Sequence, residues 1–362
     1  MSSEGTSRRR LLQGAGIALL SSLAGCGTTG SARSETTTDA GTTTDSPTTT
    51  RTATAESEDE EPSPYTRVYE ETIGSVVLIR VSADGGGGQG SGFVYRDDYL
   101  VTNAHVVGDV SEVQVRFSEG EWRSASVVGT DPSSDLAVVQ VTDRPSYATA
   151  LPLVDDQPPI GEEVVAIGNP YGLEGTVTSG IISGLNRSIP APNGYTIPDA
   201  VQTGAPVNPG NSGGPLVTLE GEAVGVINSG GGDNLAFAIS AALVRRVVPA
   251  LVENGEYDHA YMGVGLRTVT PAVADQVGLA EPRGVLVTDV LAGGPSADVL
   301  RSGDVVLRIE DRRVDSRQQL ASYLALEASP GDTVRLTVRR DGDRRTAELT
   351  LGERPERPAT AR

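Results

Sequence analysis

The stretch Gly210–Pro215 reads GNSGGP and surrounds one serine, Ser212, with glycines. Glycine beside a serine permits a sharp backbone turn and a close approach of substrate. A nucleophilic serine needs such a turn, and it needs neighbouring backbone amides that point at one spot to stabilise an oxyanion. Ser212 is therefore a candidate nucleophile, although a glycine-rich hairpin with an incidental serine would have the same sequence pattern.

Two other segments contain candidate partners for this serine. His105 follows a short apolar strand ending at Thr102, where a histidine can be held as a general base. Asp135 immediately precedes the apolar run Leu136–Val141, and its carboxylate could accept a hydrogen bond from the histidine Nδ1–H. Taken alone, His105 is more simply a core histidine and Asp135 a loop carboxylate. The chain order histidine, aspartate, serine is that of the chymotrypsin-type proteases.

Residues 65–245 contain short runs rich in valine and isoleucine, separated by glycine, Asp-Pro and Asn-Pro turn signals. This pattern is typical of an all-β sandwich or barrel. Helical periodicity is found in this part only near Ala241–Glu253, which ends at Asn254 and Gly255. A second unit of about 92 residues begins near Tyr261. It contains candidate strands and one candidate helix, at Gly284–Val290, Val334–Arg340 and Arg317–Ala328, which predict a small α+β domain.

Several motifs, in this order and spacing, resemble those of the HtrA/Deg serine proteases. They are Gly90–Val94, Thr102–Val107, Ala166–Leu173, Thr176–Ser183 and Val207–Leu216. The resemblance covers roughly residues 65–350 and implies a mainly β fold. A chymotrypsin/trypsin-like double β-barrel protease domain would occupy residues 65–258, and a small α+β PDZ domain would occupy residues 260–352.

The resemblance also implies a mechanism. Ser212 would attack a peptide carbonyl, His105 would take the hydroxyl proton and return it to the leaving amine, and Asp135 would hold the imidazole. The oxyanion hole would be formed at Gly210, Asn211 and Ser212, by the backbone amides of Gly210 and Ser212 with Asn211 between them.

Two loops near the site have counterparts in the family. Gly168–Leu173 resembles its activation loop, and Ile227–Phe237 resembles the loop that lines the pocket for the substrate side chain before the cleaved bond. The candidate pocket residues are Ile227, Asn228, Leu235 and Phe237. Because no aspartate is evident at the floor of this pocket, we expect it to accept small aliphatic side chains of the substrate.

The PDZ resemblance implies a carboxylate-binding loop whose amides hold a peptide C-terminus while a strand edge accepts the peptide as an added strand. The loop residues are Tyr261, Met262, Gly263 and Val264. His259 lies just before this loop, and we expect it to be an exposed, non-catalytic residue. One such domain fits before the chain ends, and residues 353–362 read as a disordered tail.

Residues 1–26 are predicted to be a signal peptide, since Ser7–Leu12 contains an arginine pair followed by two leucines and resembles a twin-arginine export signal. Leu23–Cys26 resembles a lipobox, in which the thiol of Cys26 would carry a lipid. A plain cleavable signal with an incidental cysteine is the alternative. Residues 27–64 have 13 threonines between positions 28 and 54 and no hydrophobic pattern, so they read as a disordered linker.

The chain has 29 basic residues, all arginine, against 48 acidic residues, for a net charge of −19. This charge disfavours binding to nucleic acid or to anionic lipid, which are polyanions. A lysine-free acidic chain resembles haloarchaeal proteins and suits concentrated salt, although a GC-rich codon bias would also favour arginine and aspartate. One cysteine and two histidines leave little material for a metal centre, and no cofactor is expected.

These observations predict an exported, lipid-anchored serine endopeptidase on the outer face of the cytoplasmic membrane. It would cleave unfolded or damaged polypeptides, with peptide C-termini as further partners. The family resemblance implies a homotrimer held by an aromatic N-terminal segment, for which Tyr65 and Tyr69 are candidates, although core packing would explain them equally well. Two alternatives remain open: a non-proteolytic chaperone or PDZ adaptor on a protease fold, and a processing protease that cuts one partner.

Overall fold

The computed structural model describes residues 61–83, 86–169, 175–190, 196–208, 210–228 and 235–355. The predicted signal peptide, the predicted lipidation site Cys26 and nearly all of the predicted linker lie outside these residues. Among the described helices, none has the length and apolar character needed to cross a membrane.

The first barrel follows helix α1 (Pro64–Thr72) and a single 3₁₀ turn. Its strands are β1 (Val76–Ala83), β2 (Gly86–Arg96), β3 (Tyr99–Thr102), β4 (Glu112–Arg116), β5 (Trp122–Asp131) and β6 (Leu136–Val141), with the short helix α2 (Ala104–Val107) after β3. The strands close in the antiparallel order β1-β2-β3-β6-β5-β4. Valine-rich strands turn one row of side chains inward, and these fill the barrel.

The second barrel is built in the same way. Its strands are β7 (Glu163–Gly168), β8 (Thr176–Pro190), β9 (Thr196–Thr203), β10 (Pro215–Thr218), β11 (Ala223–Asn228) and β12 (Ala236–Ser240), and they close in the order β10-β11-β12-β9-β8-β7. Helix α3 (Ala241–Asn254) follows and ends at Gly255, whose φ of 81° suits glycine. The double barrel predicted from the sequence is confirmed.

One apolar cluster joins the two barrels. It contains Val101 and Leu136 from the first barrel, Ile167 and Val217 from the second, and the buried face of α3. Burying these side chains against each other fixes the seam between the barrels.

The second domain is the predicted small α+β unit. Its elements are β13 (Ala260–Tyr261), β14 (Val264–Thr268), α4 (Pro271–Gln276), β15 (Val285–Val290), β16 (Val305–Ile309), β17 (Arg312–Arg313), α5 (Arg317–Glu327), β18 (Thr333–Arg340), β19 (Asp343–Thr350) and β20 (Gly352–Glu353). The main sheet has the order β14-β15-β16-β18-β19, with β17 beside β16. Strand β20 pairs with β13, so Glu353, the first residue of the predicted tail, lies in a strand instead.

Helix α1 was not among the elements predicted from the sequence. The hydroxyl of Ser63 accepts a hydrogen bond from Thr66 N at 3.1 Å, and Pro64 occupies the first turn, both of which favour a helix start. Tyr65 and Tyr69 pack against the apolar cluster between the barrels, and Tyr65 Oη donates to Glu163 Oε1 at 2.6 Å. Both tyrosines therefore make contacts within their own chain.

The second domain packs on the first through α5, which lies against β8 and β9. Arg246 of α3 reinforces this contact because its Nη2 donates to Ser329 Oγ at 2.6 Å and to the Ala328 carbonyl at 3.2 Å. Beneath the contact, Asp199 of β9 is 2 % exposed and accepts a hydrogen bond from Ser240 Oγ at 2.6 Å. Burial raises the pKa of the Asp199 carboxyl above its usual 3.8, and the Ser240 hydrogen bond only partly opposes this.

The substitution Asp199→Asn should change how stability depends on pH. Because the folded pKa of Asp199 exceeds its unfolded value, the free energy of unfolding of the wild type falls as pH rises from 3.8 through the raised pKa. The asparagine variant lacks this fall, so it should gain stability relative to the wild type over that interval. Urea unfolding at pH 4 to 8 measures the difference, with the exposed Asp156→Asn as control. A difference that does not change with pH would contradict the assignment.

Candidate active site

The site is organised around Asp135, which ends the tight loop between β5 and β6 with a φ of 56°. Its carboxylate is fully buried and accepts three hydrogen bonds: from His105 N at 2.9 Å, from Asn228 Nδ2 at 2.6 Å and from His105 Nδ1 at 2.7 Å. A carboxylate can only accept, so the proton is on His105 Nδ1 and Nε2 is left free to take one. Asn228 comes from the second barrel, so both barrels hold this aspartate.

Ser212 lies in the loop that leads into β10, beside two glycines with positive φ. Gly210 has a φ of 106° and Gly213 a φ of 87°. A Cβ on Gly213 would lie 2.1 Å from the Ser91 carbonyl oxygen, so no larger residue fits there. No hydrogen bond joins Ser212 to His105 in the described part of the chain, and bonds of this kind commonly tighten only when substrate binds.

Asn211 is fully buried, and neither polar atom of its side chain has a hydrogen-bond partner among the described residues. The side chain lies over Gly168, since a Cβ on Gly168 would be 2.5 Å from Asn211 Oδ1. The Asn211 N–H donates to the Asn208 carbonyl at 3.0 Å. Within the predicted oxyanion set, the amides left to bind an oxyanion are therefore those of Gly210 and Ser212.

Ser91, a fully buried residue of β2, connects this loop to its surroundings. Its N–H donates to the Ser212 carbonyl at 2.8 Å, and its hydroxyl donates to the Gly210 carbonyl at 2.6 Å. The same hydroxyl accepts from Asn169 N at 2.9 Å, and its carbonyl accepts from Thr102 Oγ1 at 2.6 Å. One serine thus ties the nucleophile loop to the start of the predicted activation loop and to the strand preceding His105.

No role for Ser91 was predicted from the sequence, although it lies in the motif Gly90–Val94. The serine between two glycines was the available signal, but its partners are 78 and 119 residues away, and no local pattern identifies them.

The substitution Ser91→Ala should lower kcat for a peptide substrate by about ten- to a hundredfold with little change in KM. It removes the hydroxyl that fixes the Gly210 carbonyl but keeps the backbone bond to Ser212, so the oxyanion amides lose their alignment while substrate still binds. Thr72→Val is the matched control, since it removes a buried hydroxyl that bonds the Val68 carbonyl within α1. An unchanged kcat in Ser91→Ala would show that Ser91 does not align the loop.

The candidate pocket residues lie at the end of β11 and the start of β12, where Asn228 is paired with Phe237. Ile227 is buried in the core of the second barrel, and its backbone pairs with residues 213 and 214. Asn228 donates to Asp135, as described above. Phe237 is half-buried and Leu235 is exposed. Residues 229–234 of this loop, and residues 170–173 of the predicted activation loop, lie outside the described part of the chain.

His259 is buried, so its predicted exposure is wrong. Its Nε2 lies 2.7 Å from Oδ2 of the buried Asp131, at the other end of the loop that carries Asp135. Asp131 also accepts from Ser133 N at 3.0 Å and from the hydroxyl of Ser134. The pairing of β13 with β20 encloses His259, whose carbonyl accepts from Arg354 N at 2.9 Å. The entry to the second domain is therefore tied to the loop that carries Asp135.

The predicted carboxylate loop lines a cavity of about 470 Å³ in the second domain. Met262 is buried, Gly263 has a φ of 72°, and Val264 begins β14. The side chains of Leu266, Leu320 and Leu324 also line the cavity, together with residues of β8 and β9 from the first domain. Among the described residues, no group of three or more histidine, cysteine or acidic side chains could hold a metal ion.

Comparison with protein families gives two matches along this chain. Residues 90–226 match the trypsin-like peptidase domain, and residues 260–351 match the PDZ domain.

Curated relatives include two proteins described as probable periplasmic serine endoprotease DegP-like. The one from Bartonella henselae is 38 % identical over 273 residues, which cover 74 % of this chain and 54 % of the relative. The one from Halomonas elongata is 39 % identical over 275 residues, which cover 74 % of this chain and 57 % of the relative. The chain thus spans about half the length of these relatives.

Solved structures match over nearly their whole length. The HtrA-type protease AlgW with tripeptide is 32 % identical, with a TM-score of 0.70, and the match covers 82 % of this chain and 99 % of that one. The serine endoprotease from Yersinia pestis is 30 % identical, with a TM-score of 0.62, and the match covers 82 % of this chain and 100 % of that one.

Proposed function

The chain belongs to the HtrA-type serine proteases, and on that basis we propose that it is a serine endopeptidase that cleaves unfolded or damaged proteins. Ser212, His105 and Asp135 are its proposed catalytic residues. The observation that carries this proposal is the buried Asp135 carboxylate 2.7 Å from His105 Nδ1, because it orients the imidazole and stabilises its protonated form.

In the proposed reaction, His105 Nε2 takes the hydroxyl proton as Ser212 Oγ forms a bond to the substrate carbonyl carbon. The carbonyl electron pair moves to oxygen, where the amides of Gly210 and Ser212 stabilise the negative charge. The intermediate collapses, the C–N bond breaks, and the leaving amine takes the proton from His105. Water then repeats the sequence on the acyl-enzyme and releases the new carboxylate with free Ser212.

We further propose that the chain is exported by its twin-arginine signal and anchored through a lipid on Cys26 to the outer face of the cytoplasmic membrane. Export is supported by the two relatives described as periplasmic proteins. The threonine-rich residues 27–64 would be the linker between anchor and protease. An acidic chain without lysine suits work in concentrated salt, where self-repulsion is screened.

The proposed partners are unfolded polypeptides and peptide C-termini, the latter bound by Tyr261–Val264. Support comes from the apolar cavity beside that loop, whose leucines suit a C-terminal apolar side chain. A homotrimer held through the α1 segment remains part of the proposal, with Tyr65 and Tyr69 as contact candidates.

Degradation of an unfolded reporter protein in multi-molar salt tests the proposed activity, with Ser212→Ala as the matched variant. The wild-type chain should produce peptide fragments and the variant none, because alanine has no hydroxyl to form the acyl-enzyme. Equal cleavage by both would contradict the assignment of Ser212. A folded wild-type chain that binds the reporter without cutting it, even with C-terminal peptides added, would favour a chaperone or adaptor instead.

A further inference from the structure

A second cavity, of about 510 Å³, lies in the PDZ domain among the loop before β15, strands β16 and β17, and the β18–β19 hairpin. Five arginines line it, and we call it the arginine pocket: Arg283, Arg308, Arg313, Arg339 and Arg344. It shares no lining residue with the cavity at the carboxylate loop. It is therefore a separate surface of the same domain.

The charge in this pocket is opposite to that of the molecule. The whole chain has a net charge of −19, yet only two acidic residues, Glu281 and Asp315, line the pocket beside the five arginines. Glu281 is paired with Arg283. In the part of the chain that the structure describes, the other four arginines form no ion pair with a carboxylate. Two of the four donate to backbone carbonyls, Arg308 Nη2 to that of Asp311 and Arg339 Nε to that of Gly342 at 3.2 Å. The remaining guanidinium N–H groups of the four are available to an anion.

The arrangement of the strands sets these arginines against one another. Arg308 of β16 lies directly opposite Arg313 of β17, and Arg339 of β18 lies directly opposite Arg344 of β19. Like charges at directly opposed positions destabilise a sheet. An anion bound between the opposed pairs would remove this repulsion, so the folded domain is prepared for a negatively charged ligand.

Arg340, the neighbour of Arg339 in the same strand, shows the contrast. Its Nε and Nη2 donate to the two carboxylate oxygens of the buried Asp304 at 2.7 Å and 2.6 Å. On that face of the strand, the fold provides the arginine with a carboxylate partner. On the face of the strand that lines the pocket, no described residue provides Arg339 with a carboxylate partner.

The walls of the pocket indicate what kind of anion fits. Leu279, Leu307 and Val314 provide apolar surface beside the guanidinium groups. A glutamate side chain has both matching parts, since its methylenes can pack on the leucines while its carboxylate meets a guanidinium fork bidentately. Inorganic phosphate has the charge but no apolar part. The volume is large enough for several side chains.

We propose that the arginine pocket is a second peptide-binding site of the PDZ domain, which binds segments with clustered glutamate and aspartate side chains. Residues 56–61 of this chain, which read ESEDEE, are a segment of that chemistry and provide the probe. This inference does not rest on the proposed protease activity, because binding requires none of the catalytic residues.

Fluorescence anisotropy of a labelled peptide with the sequence of residues 54–63 tests the proposal at the lowest salt concentration at which circular dichroism shows the chain to be folded. The protein is the full chain with Ser212→Ala, so that the probe is not cut. Replacing both Arg308 and Arg339 by glutamine should weaken binding by about tenfold or more, since two charge-assisted contacts are lost. Arg345→Gln is the matched control, because Arg345 is exposed in the same strand as Arg344 and does not line the pocket. It should change the affinity by less than about twofold.

Three results would overturn the proposal. An equal loss in Arg345→Gln would mean that only the general charge of the domain matters. Pyrophosphate that displaces the probe at concentrations far below those of unlabelled peptide would mean that the site takes phosphate instead. The Tm of Arg339→Gln is compared with that of Arg340→Gln, which loses the ion pair with Asp304. If both variants lower the Tm equally, Arg339 stabilises the fold and is not repelled by the opposite Arg344.

Discussion

The carboxylate of Asp135 is the constraint on which the rest of the site depends. A buried charge is costly unless it is fully hydrogen-bonded, and this one accepts from the backbone and ring of His105 and from Asn228. The last donor belongs to the second barrel. The two barrels must therefore close on each other along their apolar seam before this charge is satisfied, which links assembly of the fold to assembly of the site.

The residues predicted from sequence were those with a local signal. The glycines around Ser212 and the strands beside His105 and Asp135 indicated chemistry from their immediate neighbours. For Asn228 and Ser91, no local signal identifies the partners that the structure gives them, because those partners depend on which strands meet across the seam. Asn228 was expected to line a pocket, and the structure shows in addition that its amide donates to the carboxylate of Asp135.

Two other differences between the structure and the predictions from sequence have similar causes. A lone histidine before a domain boundary is predicted to be exposed, but the paired strands β13 and β20 and the carboxylate of Asp131 enclose His259. Helix α1 had its start signal in Ser63 and Pro64, but nine residues are too few to show clear periodicity. Likewise, residues 260–352 have 12 arginines and 13 acidic residues, so the sequence of this domain indicates a net charge close to zero. Only strand pairing shows that arginines collect on one face.

We propose that Asp135 orients His105 so that Ser212 becomes nucleophilic. The most direct measurement is the rate constant for covalent labelling by a fluorophosphonate, with the modified residue identified by mass spectrometry. We expect a single label, on Ser212, in the wild type and a rate constant lower by about 10⁴-fold in Asp135→Asn. Labelling of a different residue, or equal rates in the two proteins, would contradict it.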